Sequence, residues 1–271
     1  MTVKYFDAHS HIHFPQYEAD RDEVLARMKE AGVSTITVGC DSATSIGARD
    51  FAHAHGLYAT AGLHPSDNRK ETLNEDLFRE LLTDVRVVAV GECGLDYTRL
   101  GEGKEEEKKR QKDIFLRQMK LGGEAGKPVM IHCRASGKDA EQNTDAHEDA
   151  IQLIKEAQKE YPSLIPILHF FTGSPEIAKQ YEALGAYFSF SGVVTFAPMY
   201  DKTILAVPIG RILTETDAPY ASPAPYRGQR NEPTFVIHTL SYIADVRGVP
   251  EEEIREQVLE NVSRVFGVLF G

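Results

Sequence analysis

The sequence lacks the features that would place the protein in a membrane or export it. No run approaches the roughly 18 consecutive apolar residues of a membrane-spanning helix. Residues Met1–Lys4 lead into the first motif without an apolar signal segment or a cleavage site. The three cysteines, Cys40, Cys93 and Cys133, are an odd number without paired spacing, which argues against a disulfide framework. We therefore predict a soluble, reduced, cytoplasmic protein without a membrane partner.

The sequence also lacks an excess of positive charge. It contains 30 Lys and Arg residues and 41 Asp and Glu residues, so the formal net charge is −11. A broad nucleic-acid groove is usually built on a basic face, so this balance argues against such a groove. A substrate that carries phosphate is still compatible, because bound metal ions supply positive charge that the sequence does not count.

A Gly-x-Gly-x-x-Gly turn after a strand is absent as well, which disfavours an open doubly wound sheet. The chain instead alternates short apolar runs with helical patterns. The apolar runs predict eight strands, at Tyr5–Asp7, Val33–Cys40, Leu57–Leu63, Arg86–Glu92, Pro128–Cys133, Leu164–Phe170, Tyr187–Gly192 and Ile212–Asp217. This alternation predicts an α/β fold, a TIM (β/α)8 barrel, as a single domain over residues 1–271.

Helical patterns separate the predicted strands. They lie at Glu18–Ala31, Ala43–His55, Leu73–Leu82, Glu102–Gly126, Ala146–Glu160, Ser174–Leu184, Glu232–Val246 and about Glu251–Phe266. Gly32 and Gly56 are placed to end the first two helices. Ser174 followed by Pro175 is typical of a helix start. The polar stretch Ala135–Asp145 is predicted to be a flexible loop on the active face.

Histidines at alternate positions follow the first strand. In extended backbone, residues i and i+2 point the same way, so His9 and His11 can present two imidazoles to one metal ion. The other strand ends carry further histidines and carboxylates: His64, Glu92, His132, His169 and Asp217. In a (β/α)8 barrel these ends meet at one mouth. A lone residue of this kind is more typical of a hydrogen-bonded core, but together they predict a metal site at the C-terminal face of the strands.

A series of motifs stands in a fixed order along essentially the whole chain. They are Asp7-x-His9-x-His11, Gly62-x-His64-Pro65, Gly91-Glu92-x-Gly94-Leu95-Asp96-Tyr97, Gln111 with Phe115 and Gln118, Ile131-His132-x-Arg134, His169-x-Phe171-Thr172-Gly173, Glu215-Thr216-Asp217-x-Pro219-Tyr220, Arg227-Gly228-x-Arg230-Asn231-Glu232-Pro233 and Asn261-Val262-x-Arg264-Val265-Phe266-Gly267. With these motifs the chain resembles the TatD family of metal-dependent hydrolases, within the amidohydrolase-like barrels.

The resemblance implies a TIM barrel, two or three bound divalent metal ions (Mg, Mn or Zn) and deoxyribonuclease activity, often of the 3′→5′ exonuclease type. The metal ligands that it implies are His9, His11, Glu92, His132, His169 and Asp217. Two features depart from the family pattern. His13 stands where the family commonly has an acidic residue, and the loop through Gly137–Asp145 is longer than usual. Both lie near the expected substrate mouth, so they bear on the choice of substrate.

The expected mechanism uses two metal ions. One is assigned to His9, His11 and Asp217, and the second to His132 and His169, with Glu92 bridging the two. Two metal ions about 3.5–4 Å apart clamp an in-line displacement at phosphorus by an activated water. Glu92 and Asp217 are therefore the predicted catalytic residues, with Asp217 orienting the water or accepting its proton.

Several further residues are candidate substrate contacts. Guanidinium groups match phosphate in a bidentate manner, which suggests Arg134, Arg227 and Arg230, although each is also compatible with an ordinary surface ion pair. His64 is expected to contact phosphate or a third metal ion, or else to be a loop histidine held by Pro65. Tyr97 is placed to stack on a base or to wall the pocket.

Two other functions remain compatible with the sequence. Other amidohydrolase-like barrels hydrolyse amides or esters, a class that includes aminoacyl esters. Binuclear members often use a carbamylated lysine as the bridge, whereas the fourth strand here ends in Glu92, which favours DNA or another phosphodiester as substrate. A metal-bound scaffold without turnover is disfavoured by the complete ligand set. The oligomeric state is left open, and a monomer is compatible with the sequence.

Overall fold

The computed structural model describes residues 2–66, 71–98, 100, 104–137 and 143–270. Within these residues, eight parallel strands stand side by side in chain order. They are β1 (Tyr5–Ser10), β2 (Val33–Val38), β3 (Tyr58–Ala61), β4 (Val87–Asp96), β5 (Val129–Arg134), β6 (Pro166–Leu168), β7 (Tyr187–Phe190) and β8 (Ile212–Thr214). Each predicted apolar run overlaps one of these strands, although β1, β4 and β5 extend beyond the predicted ends at Asp7, Glu92 and Cys133. The predicted α/β barrel is therefore confirmed.

Helices alternate with the strands along the described residues. They are α1 (Arg21–Ala31), α2 (Ser42–His55), α3 (Glu75–Thr83), α4 (Lys104–Ala125), α5 (Asp145–Glu160), α6 (Pro175–Glu182), α7 (Asp201–Ala206), α8 (Val236–Arg247) and α9 (Glu251–Phe266). Gly32 and Gly56 end α1 and α2 with positive φ, as expected. Among the described helices, none is both long enough and apolar enough to cross a membrane.

The structure departs most from the predicted helices at three places. Helix α1 begins at Arg21 rather than Glu18, with Asp20 as its N-cap. Helix α7 is not predicted, because six residues are too few to display a helical period. Helix α8 begins at Val236 rather than Glu232, because Pro233–Phe235 form a 3₁₀ turn before it. The predicted start of α4 at Glu102 and residues 138–142 of the predicted loop Ala135–Asp145 lie outside the described residues.

The barrel closes where β8 returns to β1. A backbone bridge joins Ser10 to Ala218, and Asp217 donates its N–H to the carbonyl of His9 at 2.9 Å. The fully buried carboxylate of Asp7 accepts hydrogen bonds from the N–H of Thr216 at 2.8 Å and from its hydroxyl at 2.7 Å. These contacts, the Asp7–Thr216 latch, hold His9 beside Asp217.

Helix α4 fixes two strand ends from outside the barrel. Gln118 accepts a hydrogen bond from the N–H of Leu63 at 2.7 Å and donates to its carbonyl at 3.0 Å. Gln111 makes the same pair of bonds with the backbone of Asp96, at 2.8 and 3.1 Å. Both glutamines are buried. They satisfy backbone groups that the barrel ladder leaves open, immediately beside the mouth of the barrel.

We predict that Gln118→Ala lowers the free energy of unfolding by about 1–3 kcal/mol, because it leaves the N–H and carbonyl of Leu63 buried without partners. Equilibrium denaturation of the metal-free protein measures this change. The exposed Gln152 on α5 provides the matched control, and Gln152→Ala is expected to change the free energy by less than about 0.5 kcal/mol. Equal effects of the two substitutions would contradict the role assigned to Gln118.

Candidate metal centre

A pocket of about 710 Å³ opens at the carboxyl ends of the strands. Five of the six predicted metal ligands line it: His11, Glu92, His132, His169 and Asp217. The sixth, His9, is fully buried and contacts four of the five, His11, Glu92, His169 and Asp217. The structure therefore brings together side chains from β1, β4, β5 and the segments that follow β6 and β8, as the barrel predicts.

One group of side chains converges on Oε2 of Glu92. Nε2 of His9 lies 3.2 Å from Nε2 of His11, 3.4 Å from Glu92 Oε2 and 3.6 Å from Asp217 Oδ1. Nε2 of His11 lies 3.5 Å from the same Asp217 oxygen. Two imidazole nitrogens and two carboxylate oxygens thus face one point, and His9, His11 and Glu92 have the spacing to hold a metal ion.

A second group converges on the other oxygen of the same carboxylate. Oε1 of Glu92 lies 3.0 Å from Nδ1 of His132, 3.1 Å from Nε2 of His169 and 3.3 Å from Nε2 of His64. Burial raises the pKa of Glu92, but the charges of His169 and His64 and the hydrogen bonds from His132 and His169 hold it well below its usual range. The carboxylate is therefore ionised and shared between two groups of imidazoles.

The donor set suits a bound cation. Nδ1 of His11 lies 2.9 Å from the carbonyl of Val38, and Nδ1 of His169 lies 3.1 Å from Oε1 of Glu215. Because a carbonyl and a carboxylate only accept, each Nδ1 carries the hydrogen when the ring is neutral. Each Nε2 then turns a lone pair toward carboxylate oxygens. This arrangement is repulsive unless a metal ion, or a proton, lies between the groups.

The protonation of His169 fits this interpretation. Burial lowers the pKa of His169, but the charges of Glu215 and Glu92 and its hydrogen bonds to both raise it well above its usual range. In the absence of metal, a proton on the ring supplies the positive charge that these carboxylates require. The same pair of carboxylates would stabilise a divalent cation.

The backbone of Asp217 is held in a strained conformation. Its φ is 55°, a left-handed value that costs a non-glycine residue about 1–3 kcal/mol. Its N–H bonds to His9, and its carbonyl accepts from the N–H of Tyr220 at 2.9 Å. Burial raises the pKa of Asp217, but the hydrogen bond from His11 and the charges of the surrounding histidines lower it below its usual range. The surrounding structure thus holds an ionised carboxylate at the pocket.

Two carboxylates near the site are not among the predicted site residues. Glu215 is fully buried and accepts from the N–H of Phe170 at 2.8 Å as well as contacting His169. Oδ2 of Asp96 lies 3.4 Å from Nε2 of His132. Glu215 follows the last residue of β8, so its position at a strand end is the signal by which the sequence could have identified it.

The structure places some of the predicted substrate contacts at the pocket and others in contacts within the protein. His64 and Arg134 line the pocket. Arg230 instead pairs with both oxygens of Asp20, at 2.7 and 2.5 Å. The guanidinium of Arg227 lies 3.9 Å from the ring centroid of Phe196.

Tyr97 and His13 are held by contacts within the protein. Tyr97 is buried and donates to Asp149 at 2.8 Å, and it is not among the residues that line the pocket. Nδ1 of His13 lies 2.6 Å from the hydroxyl of Thr37. Burial and the nearby charge of His11 lower the pKa of His13 to about 3, so this ring is neutral at physiological pH.

Known proteins are similar to this chain in sequence and in fold. The family profile described as TatD related DNase matches residues 6–267. The uncharacterized metal-dependent hydrolase YabD of Bacillus subtilis is 36% identical over 269 residues, which cover 97% of this chain and 99% of the relative. The 3'-5' ssDNA/RNA exonuclease TatD of Klebsiella pneumoniae is 32% identical, with 97% and 98% of the two chains covered.

A solved structure of a TatD homolog has the same fold as this chain. The crystal structure of YJJV, a TatD homolog from Escherichia coli K12, superimposes with a TM-score of 0.86 at 26% identity and covers 99% of this chain and 100% of its own. The match of the family profile to nearly the whole chain and the identity to YabD establish the family. This chain is therefore a metal-dependent hydrolase that belongs to the TatD-related DNase family.

Proposed function

We propose that this hydrolase cleaves phosphodiester bonds, as a deoxyribonuclease of the 3′→5′ exonuclease type. One observation carries the proposal: the two oxygens of Glu92 face separate groups of imidazoles, at 3.0 Å from His132 and 3.4 Å from His9. A paired-cation centre of this kind suits in-line displacement at phosphorus. The exonuclease name of the relative from Klebsiella pneumoniae supports the same chemistry.

The proposal assigns each side chain a role. His9, His11 and Asp217 would hold one divalent cation, His132 and His169 a second, and Glu92 both; Mg, Mn or Zn suits these nitrogen and oxygen donors. Cations bound there lower the pKa of water and neutralise phosphoryl oxygens. Asp217 accepts the proton that the attacking water loses. His64 contacts phosphate or helps to hold a third cation.

Arg134 and Glu215 complete the site. Arg134 is exposed on the pocket wall, where its guanidinium can donate two hydrogen bonds to a phosphate of DNA or of another phosphodiester. Glu215 fixes the ring of His169 through Nδ1, so that Nε2 points toward Glu92. The fit of the family profile to residues 6–267 supports one hydrolase domain over the chain.

The proposed reaction is tested on protein purified without added metal and then loaded with Mg, Mn or Zn. Single-stranded DNA, bis-p-nitrophenyl phosphate and an aminoacyl ester serve as substrates, and metal analysis of the purified protein identifies the cation it retains. Cleavage of the two phosphodiesters supports the proposal. Hydrolysis of the aminoacyl ester, with both phosphodiesters left intact under every metal, would replace it with the amide and ester class.

Glu92→Ala is expected to lower turnover by on the order of 10³-fold or more, because both cation positions lose their shared ligand. Metal analysis should show reduced metal content, while circular dichroism shows an intact barrel. Glu253 on α9 is exposed, and Glu253→Ala is the control expected to change neither quantity. Full activity of the Glu92 variant would remove the central assignment.

Glu215→Gln is expected to weaken metal binding by about tenfold, because the neutral amide no longer raises the basicity of His169. Competition with a chromogenic chelator measures this affinity directly on the folded protein. Glu182→Gln, an exposed change on α6, is the matched control. Unchanged metal affinity in the Glu215 variant would mean that this carboxylate only fills the core.

Arg134→Ala is expected to raise KM for a phosphodiester by about tenfold or more, because one charge-assisted hydrogen bond is lost. Bound metal should not change. Arg230→Ala is expected to leave KM unchanged and to lower the free energy of unfolding by at most about 1 kcal/mol, as for other surface ion pairs. KM of the two variants is measured by steady-state kinetics. An equal rise in KM in both variants would contradict the assignment of Arg134 to substrate binding and of Arg230 to a surface ion pair.

A further inference from the structure

The pocket has two halves of different chemistry. The half formed by the segments at β3, β4 and β5 is polar and contains His64, Ser66, Asp96 and Arg134. The half formed by the segments after β6, β7 and β8 is mostly aromatic and apolar, with Phe170, Val193, Tyr200 and Tyr220 beside the polar Thr172. The predicted metal ligands lie between the two halves. A substrate that fills the pocket therefore meets Phe and Tyr rings on one side only.

Tyr220 presents its side chain to this pocket from a fixed backbone. The residue is 50% exposed, whereas its N–H donates to Asp217 at 2.9 Å and its carbonyl accepts from the amide of Asn231 at 2.6 Å. Its ring centroid lies 6.2 Å from that of His11. An exposed aromatic ring on an ordered backbone can contact a ligand at a small cost in conformational entropy.

Phe170 is held at the pocket in a strained conformation. Its φ is 49°, which is rare for a residue with a side chain. The hydrogen bond from its N–H to Glu215 holds this conformation, and its ring lies 6.0 Å from the ring of His169. Strain of this kind clusters where the position of a side chain matters for ligand binding.

We propose that the aromatic half, formed by Phe170, Tyr200 and Tyr220, binds a nucleobase of the nucleotide whose phosphate lies over the metal centre. Flat rings that line an open pocket suit stacking, and stacking tolerates any base because every base has a π-face. The net charge of −11 favours affinity from stacking and few phosphates over a long basic track. This inference rests on the proposed phosphodiesterase function and adds a base subsite to it.

The test compares a substrate with bases and one without them. Metal-loaded protein is assayed with thymidylyl-(3′→5′)-thymidine and with an analogue in which tetrahydrofuran abasic units replace both nucleosides. We expect kcat/KM to be about 5- to 100-fold higher for the substrate that carries bases. Tyr220→Ala should remove most of this preference, whereas Tyr220→Phe, which keeps the ring, should retain it. Leu205→Ala changes an exposed side chain of α7 and should leave both rates unchanged.

Equilibrium binding separates this inference from the proposed reaction. Isothermal titration calorimetry gives the affinity of the metal-loaded protein for thymidine 5′-monophosphate and for 2-deoxyribose 5-phosphate. The ratio of the two affinities measures the contribution of the base to binding, without turnover. Tighter binding of the nucleotide, lost in Tyr220→Ala, supports the subsite even if neither phosphodiester is cleaved, in which case only the proposed function fails. Equal binding of the two ligands, or an equal loss of both rates in Tyr220→Ala, overturns the subsite and leaves the proposed function intact.

Discussion

The carboxylate of Glu92 carries a buried negative charge that the structure has to neutralise from two sides. An isolated ion of this kind is expensive to bury, and at Glu92 four imidazoles lie within 3.4 Å of its two oxygens. The side chains that surround it come from strands that are distant in sequence and adjacent in the barrel. Glu92 and the histidines therefore depend on one another, and the barrel is the scaffold that makes their meeting possible.

The histidines are in turn oriented by groups behind them. The carbonyl of Val38 and the carboxylate of Glu215 each engage the far nitrogen of a ring and turn the other nitrogen toward the pocket. The Asp7–Thr216 latch then sets the spacing between the first strand and Asp217. Orientation thus comes from fixed backbone and buried acids, which leaves the residues on the pocket walls available for contact with substrate.

Much of this organisation is readable in the sequence. Several strands are nearly continuously apolar, and the histidines and acids at their ends stand out by contrast, so the barrel and the residues at its mouth can be predicted together. The i, i+2 spacing pairs His9 with His11, and the position of Glu215 directly after β8 would have revealed one more residue. Helix α7 is too short to produce a periodic signal.

Other features depend on contacts between residues that are far apart in the chain. The sequence alone does not distinguish Arg134, Arg227 and Arg230 from one another. In the structure, Arg230 pairs with Asp20, which is 210 residues away in the chain, and Arg227 lies over the ring of Phe196. Tyr97 follows a motif at the mouth, but its hydroxyl turns to Asp149 on α5. Side-chain partners of this kind follow from the packing of helices against the barrel, which local patterns do not encode.

Gln111 and Gln118 lie about two helical turns apart on α4. Gln111 bonds the backbone of Asp96, which lines the pocket, and Gln118 bonds the backbone of Leu63, the residue before His64. The outer layer of the barrel thus helps to set the positions of His64 and Asp96. Segments elsewhere at the mouth can therefore change in length or composition during evolution while these contacts keep the two residues in place. Relatives that share the centre can thus diverge in what they hydrolyse.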